Sequence, residues 1–350
     1  MSRIRFGVWA AMVLILAPLA GAQSYTVTDL GVLSGGDYSV AGGLNDFGTV
    51  VGSSSVANLG KASYHAFIWT KSSGMRDLGV YSGDTNSAAT GINNSGDIVG
   101  TSFGFFFPVP YHAVLWKHGG PIQEIGSLAG TNSYANAIND SGMIVGYSTL
   151  ADGANDAFLW TSVSGMQDLG DLPGGASSSA YAINASGEVV GDSGLDNPAE
   201  FHAFLWTQAN GMEDLGTLSG GLVSRATAIS DAGTIVGYSW TEQFNNVCFI
   251  WTSGQGMQPL DLGLSSSLYG INSSNEIVGS NISSGVPFLW TPSRHMQTLD
   301  SLIPPNSGWV FNEVVGINRV GQIAATGTIN GQRHAALLTP TKLARVRGED

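Results

Sequence analysis

The stretch Ala180–Gly216 reads AYAINASGEVVGDSGLDNPAEFHAFLWTQANGMEDLG, and its phrases return along the whole chain. HAFLWT (His202–Thr207) recurs as HAFIWT (His65–Thr70), HAVLW (His112–Trp116), DAFLWT (Asp156–Thr161), VCFIWT (Val247–Thr252), VPFLWT (Val286–Thr291) and HAALLT (His334–Thr339). Six of these seven copies carry a tryptophan: Trp69, Trp116, Trp160, Trp206, Trp251 and Trp290, spaced by 47, 44, 46, 45 and 39 residues. A period of about 45 residues is that of a four-stranded propeller blade.

A second phrase has the same number of copies. It reads LNDFG (Leu44–Gly48), INNSG (Ile92–Gly96), INDSG (Ile138–Gly142), INASG (Ile183–Gly187), ISDAG (Ile229–Gly233), INSSN (Ile271–Asn275) and INRVG (Ile317–Gly321). Such residues make tight hairpin turns, because Asn and Asp cap their own backbone and Gly takes the left-handed position. Asn275 stands where the others have Gly, and Asn is well suited to positive φ. A third phrase, Met-x-Asp-Leu-Gly, occupies Met75–Gly79, Met166–Gly170 and Met212–Gly216, with weaker copies at Gln123–Gly126, Asp261–Gly263 and Met296–Asp300.

Each unit therefore predicts four strands. Strand a ends in Ala-x-Ile-Asn (Tyr134–Asn139), strand b contains Ile-Val-Gly (Met143–Ser148), strand c is the HAFLWT phrase, and strand d is Met-x-Asp-Leu. Successive apolar letters within short strands predict sheets buried on both faces. The termini fit a closed ring: Tyr25–Gly31 (YTVTDLG) is a strand d with nothing before it, and the seventh unit ends without one. The expected fold is all-β, a seven-bladed propeller of four-stranded blades in which the N-terminal strand completes the last blade. An open solenoid would need polar capping repeats and gains nothing from complementary fragments.

The three phrases together resemble the bacterial HAF-repeat family of extracellular repeat proteins, over essentially all of Tyr25–Thr339. That resemblance implies no established activity, substrate or catalytic set. The pattern departs in the last two units, at Val286-Pro287 and Ala336-Leu337.

The first residues read as a targeting segment. Arg3 and Arg5 precede the apolar run Phe6–Ala20, and Ala20-Gly21-Ala22 fits a small-x-small cleavage site. Residues 1–22 are thus expected to be a signal peptide cut after Ala22, 23–340 the propeller, and 341–350 a basic, disordered tail. The apolar run is shorter than the roughly 20 residues of a spanning helix. The protein is expected to be secreted or periplasmic, with no membrane insertion after cleavage.

The chain has 350 residues, 49 glycines, one cysteine and a formal charge of −13; loss of Arg3 and Arg5 would make it −15. Such an acidic surface argues against nucleic acid and anionic membranes as partners. A lone Cys248 at an apolar repeat position reads as a small buried residue. The repeated His65, His112, His202 and His334, and the repeated Asp29, Asp77, Asp168, Asp214 and Asp261, read as structural polar contacts. Catalysis needs groups tuned differently at one place, not one residue repeated around a ring. Phosphate-loop, zinc and calcium-loop patterns do not occur in the sequence, so no catalytic residue, metal or cofactor is expected.

Function is then expected where the units differ, in loops on a rigid scaffold. The d–a and b–c loops share one face. Their aromatic residues Phe103, Phe105, Phe106, Phe107, Tyr111, Trp240, Phe244, Trp309 and Phe311 form the candidate binding surface, since exposed aromatic clusters mark interaction sites. The favoured reading is a secreted, non-enzymatic binding or scaffold propeller whose partner is a glycan, a peptide or an envelope protein. The alternatives are a polysaccharide hydrolase or lyase, with Glu200, Glu242 and Glu313 as first suspects, and a passive surface or matrix component.

Overall fold

The fold rests on a glycine in strand b. In a computed structural model that describes residues 24–57, 63–104, 110–118, 120–197, 199–218, 220–242, 245–262 and 265–341, every unit has the expected a–b–c–d antiparallel order. The predicted signal peptide and the basic tail from 342 onward lie outside the described residues. The fourth unit is typical: Ser178–Ile183, Val189–Gly194, Phe201–Thr207 and Gly211–Asp214. Its strand a skips Tyr181 in the ladder, leaving a bulge between Ala180 and Ala182. The facing Gly191 accommodates that bulge, because a Cβ there would lie 1.9 Å from the Ser179 carbonyl oxygen. Gly146 and Gly237 face Tyr134 and Arg225 at the same 1.9 Å. A bulge re-aims one side chain out of the regular alternation. Here the unpaired residue of each strand a turns into a central channel lined by all seven inner strands.

The seven inner strands run Ser39–Leu44, Asn86–Ile92, Ser133–Ile138, Ser178–Ile183, Val223–Ile229, Ser266–Ile271 and Val310–Ile317. Each lies against the next, and the seventh lies against the first, so the units form a ring. The hydrogen-bonded sheets do not divide as the repeats do. Among the described residues five sheets have four strands and one has eight, so seven separate four-stranded sheets are not formed there. The cause is a single parallel pairing, Phe201 with Val223, that links strand c of the fourth unit to strand a of the fifth. There the Phe201 N–H donates to the Leu222 carbonyl at 3.3 Å.

Closure follows the expected route. Tyr25–Asp29 pairs antiparallel with Gln332–Pro340, from Tyr25 opposite Pro340 to Asp29 opposite Ala336. The last sheet is therefore built from both ends of the described chain. Tyr25 is fully buried, and burial pushes its phenol pKa up.

Sheets are buried on both faces because each packs between two others. One cluster joins Val50, Phe67 and Trp69 of the first unit to Ala324, Ala335 and Leu337 of the seventh. Phe67, Phe158, Phe204, Phe249 and Phe288, the Phe of the HAF phrase, are all fully buried. Burying one such side chain is worth about 2–3 kcal/mol. Cys248 takes the Ala position of that phrase and is 3% exposed; burial pushes its thiol up to about 12, which leaves it unreactive.

The turn phrase does more than cap itself. Asn45 Oδ1 accepts from the Phe47 and Thr49 amides, as a hairpin Asn does. Its Nδ2 donates to the Asn93 carbonyl of the next unit at 3.1 Å. The same link continues from Asn93 to Asn139, Asn139 to Asn184, Asn184 to Ser230, Asn272 to Asn318, and Asn318 back to Asn45. The hydrogen bonds run around the channel mouth with one gap, at Ser230, which lacks an amide. The turn glycines Gly48, Gly96, Gly142, Gly187, Gly233 and Gly321 all have positive φ, and Asn275 joins them at 56°.

Candidate functional site: the loop face

The d–a and b–c loops emerge on the face opposite the Asn ring. The repeated polar residues near this face are consumed by structure. His65 Nδ1 lies 2.8 Å from Asp77, His202 2.9 Å from Asp214, and His334 2.9 Å from Asp29 across the ring closure. Those Asp residues also accept from Gly79, Gly216 and Gly31 amides two residues on. Burial works against the Asp214 charge, but the His202 imidazole and the Gly216 N–H outweigh it and lower its pKa. His112 reaches instead to Asp84 at 3.0 Å, because its own strand d has no Asp. Serines tie neighbouring units: the Ala66, Ala113, Ala157, Ala203 and Ala335 amides donate to Ser87, Ser133, Ser178, Ser224 and Ser39.

The third unit breaks this scheme. Asp156 stands where four other units have His, beside Asp168 and Asp171. Asp156 is 5% exposed, and its Oδ1 finds no hydrogen-bond partner among the described residues. Burial first, then the charges of Asp171 and Asp168, push its carboxyl up to about 7.

The predicted aromatic surface divides into four parts. Phe105, Phe106, Phe107 and Phe244 lie outside the described residues. Phe103 and Tyr111 belong to a row of five half-buried rings across three units. Tyr64 to Phe103 is 5.9 Å between centroids, Phe103 to Tyr111 4.8 Å, Tyr111 to Tyr134 5.1 Å and Tyr134 to Tyr147 4.6 Å. Trp240 is 41% exposed. Phe311 is corrected by the structure: it is 3% exposed and packs with Leu299, Leu302 and Val314, so it belongs to the core. Trp309 stacks on it at 5.4 Å and is half-buried. The alternation of the seventh inner strand turns Phe311 inward while Asn312 faces solvent.

A second feature escaped the sequence reading. Beside the channel on this face is a cavity of about 660 Å³, within the usual range of ligand sites. Its walls include Tyr181, Arg225, Tyr238, Tyr269, Asn312 and Glu313, mostly from four consecutive inner strands. Arg225 Nη2 lies 2.7 Å from the buried Asp192 carboxylate, and its guanidinium sits 5.1 Å from the Tyr181 ring and 5.9 Å from the Tyr238 ring. Burial pushes the Asp192 carboxyl up, and Arg225 opposes that shift. Glu313 is paired with Arg333. Burial likewise raises the Tyr181 phenol, which keeps it protonated. A positional clue existed: Tyr181 and Tyr269 occupy the bulged place, three before the turn Asn, that holds Gly42, Thr90, Asn136 and Thr227 in other units.

Of the three suspect acids, only Glu313 lines this cavity. Glu200 accepts from Asn197 Nδ2 at 2.9 Å in the b–c loop of the fourth unit, and Glu242 is exposed in that of the fifth. The structure does not bring the three together into one site. Among the described residues, six large apolar side chains exposed on this face, Leu222, Trp240, Tyr269, Ile282, Val286 and Val310, all come from the fifth to seventh units or the loops entering them.

No protein-family model and no curated protein matches the chain. Solved structures do match over most of its length. The β-propeller domain of the trilobed protease from Pyrococcus furiosus, described as having an open velcro topology, aligns with a TM-score of 0.57 at 9% identity, over 87% of this chain and 96% of that one. An oligogalacturonate lyase in complex with manganese gives 0.56 at 8% identity, over 91% and 94%. YCF48 bound to D1 peptide gives 0.55 at 11% identity, over 93% and 100%. At these identities the likeness is one of fold, shared by enzymes and a peptide-bound protein alike. The chain is a β-propeller, a ring of antiparallel blades.

Proposed function

We propose that this chain is a secreted, non-enzymatic binding propeller that holds its partner on the loop face. The eight-stranded sheet acts in this reading as two blades, which restores the count of seven set by the HAF-like repeats. One observation carries the proposal. The residues that repeat most faithfully are spent on structure: the turn Asn and the strand-a Ser join neighbouring units, and the His–Asp pairs tie strand c to strand d within a unit. The unrepeated aromatic row, the cavity and most of the exposed apolar side chains gather on one face. A rigid scaffold with variation confined to one face is the layout of a recognition surface.

The experiment is a binding screen of the full chain against immobilised glycans and displayed peptides, repeated with Phe103→Ala, Tyr134→Ala and Trp240→Ala. The expected result is a ligand whose affinity falls at least tenfold in one or more of these variants while the melting temperature moves by only a few degrees. Ligands that bind all three variants, and Tyr269→Ala in the cavity as well, as tightly as the parent place recognition elsewhere and overturn the reading. Export is tested by the mass of the mature N-terminus, expected at Gln23.

A further inference from the structure

Four consecutive inner strands contribute Tyr181, Arg225, Tyr269 and Glu313 to the cavity beside the channel, whereas the first unit offers Gly42 and Val40 at the matching places. The cavity is thus a one-sided departure from the ring's symmetry. Its chemistry is specific. Three tyrosine rings supply flat apolar faces with a polar tip. The Arg225 guanidinium, held in place by Asp192, extends that platform as a planar group between Tyr181 and Tyr238. Around it stand Ser267, Ser280 and Asn312, which donate and accept hydrogen bonds without charge. Both charged wall residues are already neutralised, Arg225 by Asp192 and Glu313 by Arg333. No net charge therefore favours an ionic ligand, and the acidic chain as a whole repels anions.

We infer that this cavity binds a short segment of a neutral glycan, one sugar ring stacking on Tyr269 and its hydroxyls meeting Glu313, Asn312 and Ser280. The inference rests on the loop-face reading and names its ligand class. Tyr269 is the natural stacking surface, since it is 44% exposed and its hydroxyl is fixed 3.1 Å from Ser280. Exposed Trp240 stands on the same face, on the strand that also supplies Tyr238, and offers a second platform for a longer chain.

The test is calorimetric titration of the full chain with cellohexaose, xylohexaose, mannohexaose and chitohexaose, with hexagalacturonate as the anionic probe. The expected result is saturable binding of at least one neutral hexamer, weakened at least tenfold by Tyr269→Ala and by Glu313→Gln. Tyr269→Phe, which keeps the ring, is expected to stay within threefold of the parent, and so is Phe103→Ala. If Phe103→Ala abolishes binding and Tyr269→Ala does not, the glycan sits on the aromatic row; this inference fails and the loop-face reading survives. Tyr269-dependent binding confined to hexagalacturonate, or to a displayed peptide, overturns the ligand class. Absence of binding to every neutral hexamer by the parent chain overturns the inference outright, while the loop-face reading stands or falls on its own screen.

Discussion

Replacing Asp156 with Asn should stabilise the protein, and more so as the pH rises. Asp156 is buried beside Asp168 and Asp171, and its folded pKa is about 7 against an ordinary value of 3.8. A group whose pKa is raised by folding binds its proton more tightly in the native state. Its contribution is therefore retained at acid pH and lost as the pH climbs from about 4 through 7. Full ionisation costs about 4 kcal/mol, from roughly three pKa units at 1.4 kcal/mol each. At pH 5 the parent has lost a little under 2 kcal/mol, and at pH 8 about 4. Asparagine has the same shape, carries no charge and can donate to Asp168. The variant should thus gain about 2.5 kcal/mol more at pH 8 than at pH 5. For a domain of about 320 residues the unfolding entropy is roughly 0.7 kcal/mol per degree, so the extra gain is about 4 °C. Local relaxation and water entry reduce such figures, and a differential of about 2 °C is the smallest consistent with the argument. Calorimetric melting at both pH values reads this directly. Equal shifts at pH 5 and pH 8, or a lower melting temperature at pH 8, would refute the claim that Asp156 is held in a proton-binding site.

Three further outcomes follow from the ring. Ser230→Asn supplies the missing amide, and a new bond to the Asn272 carbonyl should raise stability by about 1 kcal/mol in denaturant titration. A decrease would mean that the gap is required by the fifth unit's geometry. Phe204→Ala removes a fully buried ring between two sheets and should cost about 3–5 kcal/mol in the same assay. Deleting residues 24–31 removes the strand that pairs with Gln332–Pro340 and exposes that strand's edge, so the truncated chain should fail to give a cooperative melt. A melt like that of the intact chain would show that closure is not needed.

The repeated phrases were enough to fix strand order, turn chemistry and ring closure. Each depends on local rules: glycine or Asn275 at positive φ, and burial of the HAF phenylalanines. Complementary termini also belong to sequence, since a missing strand d at one end and a spare one at the other have few other uses. What sequence alone left open is how neighbours touch. The Phe201–Val223 pairing that merges two units into one eight-stranded sheet depends on how closely two loops approach. The burial of Phe311 depends on which way the seventh strand's alternation faces. Phe103 and Tyr111 were visible as aromatic letters, but Tyr64, Tyr134 and Tyr147 join them only when three units are packed side by side. The cavity is the extreme case. Tyr181, Arg225, Tyr269 and Glu313 come from four separate repeats, and each looks like ordinary variation within its own copy. Sequence determined the blade because a blade is local. The ring determined the site because only closure brings the variable position of one inner strand against that of the next.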